Sequence, residues 1–186
     1  MIFDTDDFHE GNNRLDLLTQ LHAANPKFRM TAFAVPAYCP DDFLATVPDW
    51  IELAGHGWDH GGRQCNDPRE AQFWTYEEAM DRLLALPGRF VEGWKSPGWM
   101  ISDGTYKALE ELGYWCADHP DNNERRLDGL RTHVHGTGDH LHTHVQNVCG
   151  NGLEEIFPYL LKRVIQAKSF QWISEVAKPW RAKVTA

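Results

Sequence analysis

Apolar positions fall into short blocks with two alternating periods along the chain. Met1 to Asp6 reads as a brief buried strand that ends on acidic residues, and Leu15, Leu18, Leu21 and His22 then recur at helical spacing. Asn12 or Asn13 can cap that helix, which stops before Asn25-Pro26. Phe28 to Val35 predicts a second strand, a short helical piece follows Pro40-Asp41-Asp42, and Trp50 to Gly55 predicts a third strand. Thr75 and Glu78 form a capping box ahead of the stripe Met80, Leu83 and Leu84, with Pro87-Gly88 as the stop. Phe90 to Trp94 is a fourth strand. Ser102 caps a helix carrying Tyr106, Leu109 and Leu112, and Gly113 ends it before the strand Tyr114 to Asp118. A polar loop spans Pro120 to Gly129, with strands Leu130 to Val134 and Asp139 to Val145 on either side of Gly136-Thr137-Gly138. A last helix, Leu153 to Ala167, is expected to bend at Pro158, and Phe170 to Ile173 is expected to form the final strand.

Such alternation predicts an α/β protein with a mostly parallel sheet, open or closed into a barrel. At 186 residues the chain is one domain, 1–186, and is shorter than the roughly 250 residues of a regular eight-fold barrel. A small irregular (β/α) barrel is therefore expected. In parallel α/β folds the carboxyl ends of the strands share one face, where sites are built. Asp6 and Asp7, His56 and His60, Lys95, Asp118, and His142 and His144 all fall at such ends.

Composition narrows the chemistry. With 18 Lys+Arg against 27 Asp+Glu the net charge is -9, which disfavours nucleic acid and anionic lipid as partners. The chain has neither an apolar run of membrane-spanning length nor a basic, apolar leader, so a cytoplasmic location is expected. Its four cysteines form no C-x-x-C pair, so neither a disulfide scaffold nor a structural zinc site is indicated. Ten histidines and eight tryptophans are an excess, and histidine with carboxylate is the material of a metal site.

His56-x3-His60 has ligand spacing, and Gly55, Gly57, Gly61 and Gly62 free the backbone to wrap both rings around one point. Asp6-Asp7 is the source of a third ligand; in isolation such a pair is more often a solvated turn or helix cap. Two adjacent carboxylates repel, so a cation taken by one leaves the other to hold a proton. Two histidines with one aspartate leave coordination positions open, as in a catalytic site.

Four ordered segments then resemble the motifs of polysaccharide deacetylases, the NodB-like carbohydrate esterases. They are Phe3-Asp4-Thr5-Asp6-Asp7-Phe8, Gly55-His56-Gly57-Trp58-Asp59-His60, Trp94-Lys95-Ser96-Pro97-Gly98-Trp99 and Leu141-His142-Thr143-His144. Ser169 to Ser174 looks like that domain's last strand. The resemblance implies an irregular (β/α) barrel and a divalent metal, zinc in the first instance, held by Asp7, His56 and His60. It implies Asp6 as catalytic base and His142, or His144 on the same strand face, as proton donor. Lys95 stands where the family usually has arginine, and a point charge cannot grip Asp6 with two parallel bonds. Phe8 replaces the usual glycine, which marks a divergent member.

The expected reaction is hydrolysis of an N-acetyl group on an amino sugar or polysaccharide, or of another small amide. Trp58, Trp94, Pro97 and Trp99 are candidate substrate contacts, with core packing the alternative for the indoles. Hydrolysis of a different non-peptide carbon-nitrogen bond, a degenerate glycan-binding module, and a cysteine hydrolase using Cys149 with His142 or His144 stay open. Asp118 serves either to support residue 95 or to fold its own loop. No sequence pattern specifies an oligomeric state.

Overall fold

A computed structural model describes residues 1–148 and 150–181, so Cys149 lies outside the described residues. The strands are β1 (Ile2–Phe8), β2 (Met30–Ala34), β3 (Ile51–His56), β4 (Phe90–Lys95), β5 (Trp115–Asp118), β6 (Arg131–Val134), β7 (His140–His144) and β8 (Lys178–Pro179). Between them lie α1 (Leu15–Ala24), α2 (Asp41–Leu44), α3 (Tyr76–Leu84), α4 (Asp103–Glu111), α5 (Phe157–Gln166) and α6 (Ile173–Val176). The sheet order is β7-β1-β2-β3-β4-β5-β6-β8; every pairing is parallel except the antiparallel β6–β8 edge. This is an α/β half-barrel, as the strand-helix alternation implies.

Although β6 and β7 are neighbours in sequence, they stand at opposite ends of the ladder order. The sheet curls until those edges meet through side chains: His133 Nε2 lies 3.4 Å from His140 Nδ1. None of the described helices is long and apolar enough to cross a membrane.

Strand alternation sorts side chains into an outer core and a barrel interior. Outward residues such as Phe3, Met30, Ala32, Ile51 and Leu53 pack with Leu18 and Leu21 of α1 and Leu160 and Val164 of α5. Ala79, Leu83, Tyr106 and Leu109 of α3 and α4 cover Trp94 and Cys116 on the other flank. Inside the barrel, Phe33, Ala54, Trp115 and Ala117 form an apolar floor completed by Ile173 and Ala177, with Ile2 and Val91 packed against it. Polar residues occupy the same inward files one step further along the strands.

Local signals account for several boundaries, but the N-cap position of α1 is taken by Arg14, φ 44°, with no side-chain cap hydrogen bond, instead of by the expected Asn12 or Asn13. Thr75 and Glu78 make both capping-box hydrogen bonds of α3, and Ser102 Oγ accepts from Thr105 N at the start of α4. Gly113 takes φ 73° just past α4, a conformation costly for other residues. Pro158 sits in the first turn of α5 and opens that helix instead of bending it, because its missing N–H has no intrahelical partner there.

The expected strand Phe170 to Ile173 is corrected. Gln171 makes a single bridge to Ile2, and the chain then turns into α6. Ile173 is worth more as the plug of the apolar floor, and its N–H donates to Thr31 Oγ1 at 3.0 Å. Cys39, Cys65 and Cys116 are free thiols.

Gly93 faces inward beneath Trp115, and a Cβ there would lie 2.2 Å from the indole. Gly93→Ala should cost about 1–3 kcal/mol by overpacking. Thermal denaturation of G93A, alone and combined with Trp115→Leu, checks this: the smaller partner should restore part of the loss.

Candidate metal centre

Asp4, Asp6, His140, His142 and His144 share one sheet face because β1 and β7 pair in parallel with Asp4 opposite His142 and Asp6 opposite His144. His56 and Lys95 are paired at the ends of β3 and β4. Residues drawn from four strands thus converge above the apolar floor.

The register of β1 breaks between Thr5 and Phe8, where Asp7 takes φ 64°. The break lets consecutive aspartates both face the site, which an unbroken strand forbids. Asn12 Nδ2 donates to the Asp7 carbonyl at 2.9 Å and Gln146 Nε2 to Asp7 Oδ2 at 2.8 Å. Asp7 Oδ1 is left facing two imidazoles, 3.5 Å from His56 Nε2 and 3.3 Å from His60 Nε2. Donor atoms held about 2.1 Å from a tetrahedral ion stand roughly 3.4 Å apart. All three residues are buried, and their donor atoms lie within 4.8 Å of one another.

Tautomer and loop geometry fit the same reading. His56 Nδ1 must donate to the Lys95 carbonyl at 2.9 Å, which leaves Nε2 as a lone pair toward Asp7. His60 sits at φ 51° in a loop tied down by Glu70, whose carboxylate accepts from the backbone N–H of Trp58, Asp59 and His60 at 2.9 to 3.2 Å. A Cβ on Gly57 would lie 2.2 Å from Glu70 Oε2, so the approach requires glycine. Burial raises the pKa of Glu70 despite these donors. Sequence reasoning missed this residue, since nothing in the spacing from His60 announces it.

Electrostatics call for a cation. Asp4, Asp6, Asp7 and Lys95 are all buried, so three carboxylates face one ammonium. With the surrounding imidazoles neutral, the excess of two negative charges equals what one divalent ion neutralises, and uncompensated it would cost several kcal/mol per charge. Burial lowers the pKa of His56, but Asp6 and Asp7 outweigh it and the net shift is upward. Burial, aided by His56, pushes His60 down to about 4. Asp6, His142 and His144 also bring donor atoms within 4.8 Å, but Lys95 Nζ already holds Asp6 Oδ1 at 2.7 Å. A second cation there would meet that ammonium.

Burial raises the pKa of Asp6, yet Lys95, with His142 and His56, leaves it well below the usual carboxylate range. Asp6 Oδ2 lies 3.9 Å from His56 Nε2, 3.8 Å from His142 Nε2 and 3.7 Å from His144 Nε2. Asp4, quoted above only as part of a motif, is bonded to His142 Nδ1 at 2.5 Å and to His140 Nε2.

The aromatic expectations divide. Trp94 is fully buried against Trp74 and is core, because its neighbour Lys95 takes the inward position and alternation turns the indole outward. Pro97 is buried as well, packed over Gly57, so neither residue offers a face to a ligand. Trp58 and Trp99 are half-buried, and Lys95 Nζ lies 4.2 Å over the Trp99 ring. Asp118 does not support Lys95: Arg126, Tyr106 and Asn122 bind it at 2.5 to 2.9 Å and fold the following loop.

Neither the family models nor the curated proteins contain a match to this chain. Solved structures do. A family 4 acetyl xylan esterase from Clostridium thermocellum, in complex with a cobalt ion, aligns with TM-score 0.57 and 14% identity over 94% of this chain and 88% of that one. The CE4 domain of a multidomain xylanase from the hindgut metagenome of Trinervitermes trinervoides gives 0.52 and 13% over 94% and 87%. A CE4 family pseudoenzyme from Bacillus anthracis gives 0.63 and 13% over 94% of this chain and 63% of that one.

The chain has the NodB-like polysaccharide deacetylase fold. Its identity to other bearers of that fold is low, so it is a divergent example.

Two outcomes are expected of the metal centre. Ligation needs neutral imidazoles, and Asp6 and Asp7 favour protonation of His56 while burial disfavours it at His60, so as pH falls metal retention in equilibrium dialysis should be lost through His56 before His60. Glu70→Ala, which removes no ligand, should weaken metal binding about 10–100-fold by titration calorimetry.

Proposed function

We propose that this chain is a metal-dependent deacetylase acting on N-acetyl groups of an amino sugar or its polymer. The observation that carries the reading is the convergence of Asp7, His56 and His60 beside a separately held carboxylate, Asp6, and an accessible imidazole, His142. The fold of carbohydrate esterases points the same way. A silent relative shows that this fold alone does not secure turnover. Here Asp7, His56 and His60 converge and Asp6 stands beside them, which supports turnover in this chain.

Asp7, His56 and His60 would hold the cation; zinc suits a two-histidine, one-carboxylate set, and cobalt occupies the Clostridium thermocellum esterase. When bound, such an ion polarises the acyl carbonyl and acidifies water. Asp6 accepts the proton of the attacking water; Lys95 holds its pKa low, so it is ionised at neutral pH but is a weaker base than an unperturbed carboxylate. Lys95 fixes one carboxylate oxygen, so the free Oδ2 is the basic atom. His142 Nε2, with the side chain 16% exposed, gives its proton to the departing nitrogen. An amine leaves poorly as an anion, which is why the acid is needed for an amide more than for an ester. Half-buried Trp99, its ring 4.2 Å from Lys95 Nζ, would offer indole surface to a sugar ring, and half-buried Trp58 is a second candidate.

Acetate release from chitooligosaccharides and acetylated xylan, measured before and after chelation and again with added Zn²⁺ or Co²⁺, tests the assignment. Activity should vanish with the metal and return with it, and His56→Ala should lose both metal and turnover. Full hydrolysis by metal-free protein would falsify the reading.

A further inference from the structure

Resting on the hydrolytic reading above, we infer that Asp4 is a positioning residue that makes His142, not His144, the proton donor. The two histidines are equivalent in sequence: both lie on β7, both face inward, and both place Nε2 near Asp6 Oδ2, at 3.8 and 3.7 Å. Their Nδ1 atoms separate them. His142 Nδ1 is hydrogen-bonded to Asp4 Oδ1 at 2.5 Å, and since a carboxylate only accepts, that nitrogen carries the proton. His144 Nδ1 is buried with no hydrogen-bond partner among the described residues. One ring is therefore fixed in tautomer and orientation, and the other is not.

Asp4 is built to be rigid. It is 1% exposed, and His140 Nε2 binds its second oxygen while Lys95 Nζ lies 4.0 Å from the first. Pairing of β1 with β7 places Asp4 directly opposite His142, so the contact is set by strand register and not by a mobile loop. Across the seam, His135 packs edge-on against the His142 ring, with centroids 4.7 Å apart. With Nδ1–H retained by Asp4, only the Nε2–H bond can break in the transfer. That proton forms the new N–H bond of the leaving amine as the acyl C–N bond breaks. The oxygen of water remains on the acyl carbon, its proton on Asp6, and Asp4 balances the charge His142 carries before transfer.

The test is Asp4→Asn, close to isosteric, assayed on two substrates. Turnover of an N-acetyl amino sugar should fall about 10²–10⁴-fold with little change in KM, the usual worth of a positioned acid. Hydrolysis of p-nitrophenyl acetate, whose phenolate leaves without a proton, should fall far less. H142Q should show the same split with Asp4 in place, H144Q should not, and the D4N/H142Q double variant should be no worse than H142Q. Equal loss on both substrates, additive single effects, or an unaffected D4N overturns the inference. A readout independent of turnover separates its fate from that of the deacetylase reading. In ¹⁵N-edited NMR, a protected downfield Nδ1–H of His142 should be present in the wild type and H144Q and lost in D4N. A wild-type protein without that resonance overturns the assignment even if acetate is released. A protein that shows it but releases no acetate retains the Asp4–His142 pairing and loses only the reaction.

Discussion

Buried charge, held in place by parallel strand register, is the constraint on which the site depends. Lys95 Nζ sits 2.7 Å from Asp6 and 4.0 Å from Asp4, with the aromatic faces of Phe33 and Trp99 at 5.0 and 4.2 Å. An ammonium in that cage has exchanged water for two carboxylates and two ring faces. The arrangement explains why lysine is adequate at this position. A guanidinium would hold one carboxylate with two parallel bonds, whereas the compact ammonium lies between two carboxylates that stand two residues apart on one strand. Asp4 and Lys95 are thus complementary, and both bear on Asp6 and His142.

The same register divides the barrel interior into a dry floor and a charged mouth. Ile2, Phe33, Ala54, Val91 and Trp115 fill the lower level, and Asp4, Asp6, His56 and Lys95 stand above them on the same inward files. Low polarity beneath the charges strengthens every interaction among them. It also makes α6 part of the site's foundation, since Ile173 closes the floor and Ser174 is bonded to Glu52.

Much of this was legible in the residues. Strand and helix blocks followed from periodicity, and the Thr75–Glu78 capping box, the Ser102 cap and Gly113 set several boundaries. The convergence of the proposed ligands was legible because glycine-flanked His56 and His60, and an aspartate pair at a strand end, carry their chemistry in spacing. Three features were not. Glu70 acts through backbone N–H groups brought close only by the folded loop, and no periodicity encodes that approach. Trp94 lies next to Lys95 in sequence, but neighbours on a strand face opposite ways, so closeness to a motif was a misleading guide to the site. The last expected strand failed because its β-branched, aromatic composition suits a floor plug equally well.

The β6–β7 seam shows how the unusual histidine content is used. No described ladder joins these edges, yet His133, His135, His140 and His142 pack ring against ring across the gap at centroid distances of 4.7 to 5.1 Å. Such packing fails if the rings repel. Burial lowers His133 to about 4 and His135 to about 3, so both are neutral near physiological pH and behave as aromatic filler. Valine or leucine could fill the same space but could not bind Asp4, whose carboxylate takes one bond from His140 and one from His142. Histidine satisfies both demands, closing the seam with its ring and the buried carboxylate with its nitrogen. The seam and the site therefore share their residues, and a barrel closed there by an ordinary backbone ladder would have needed a different way to orient His142.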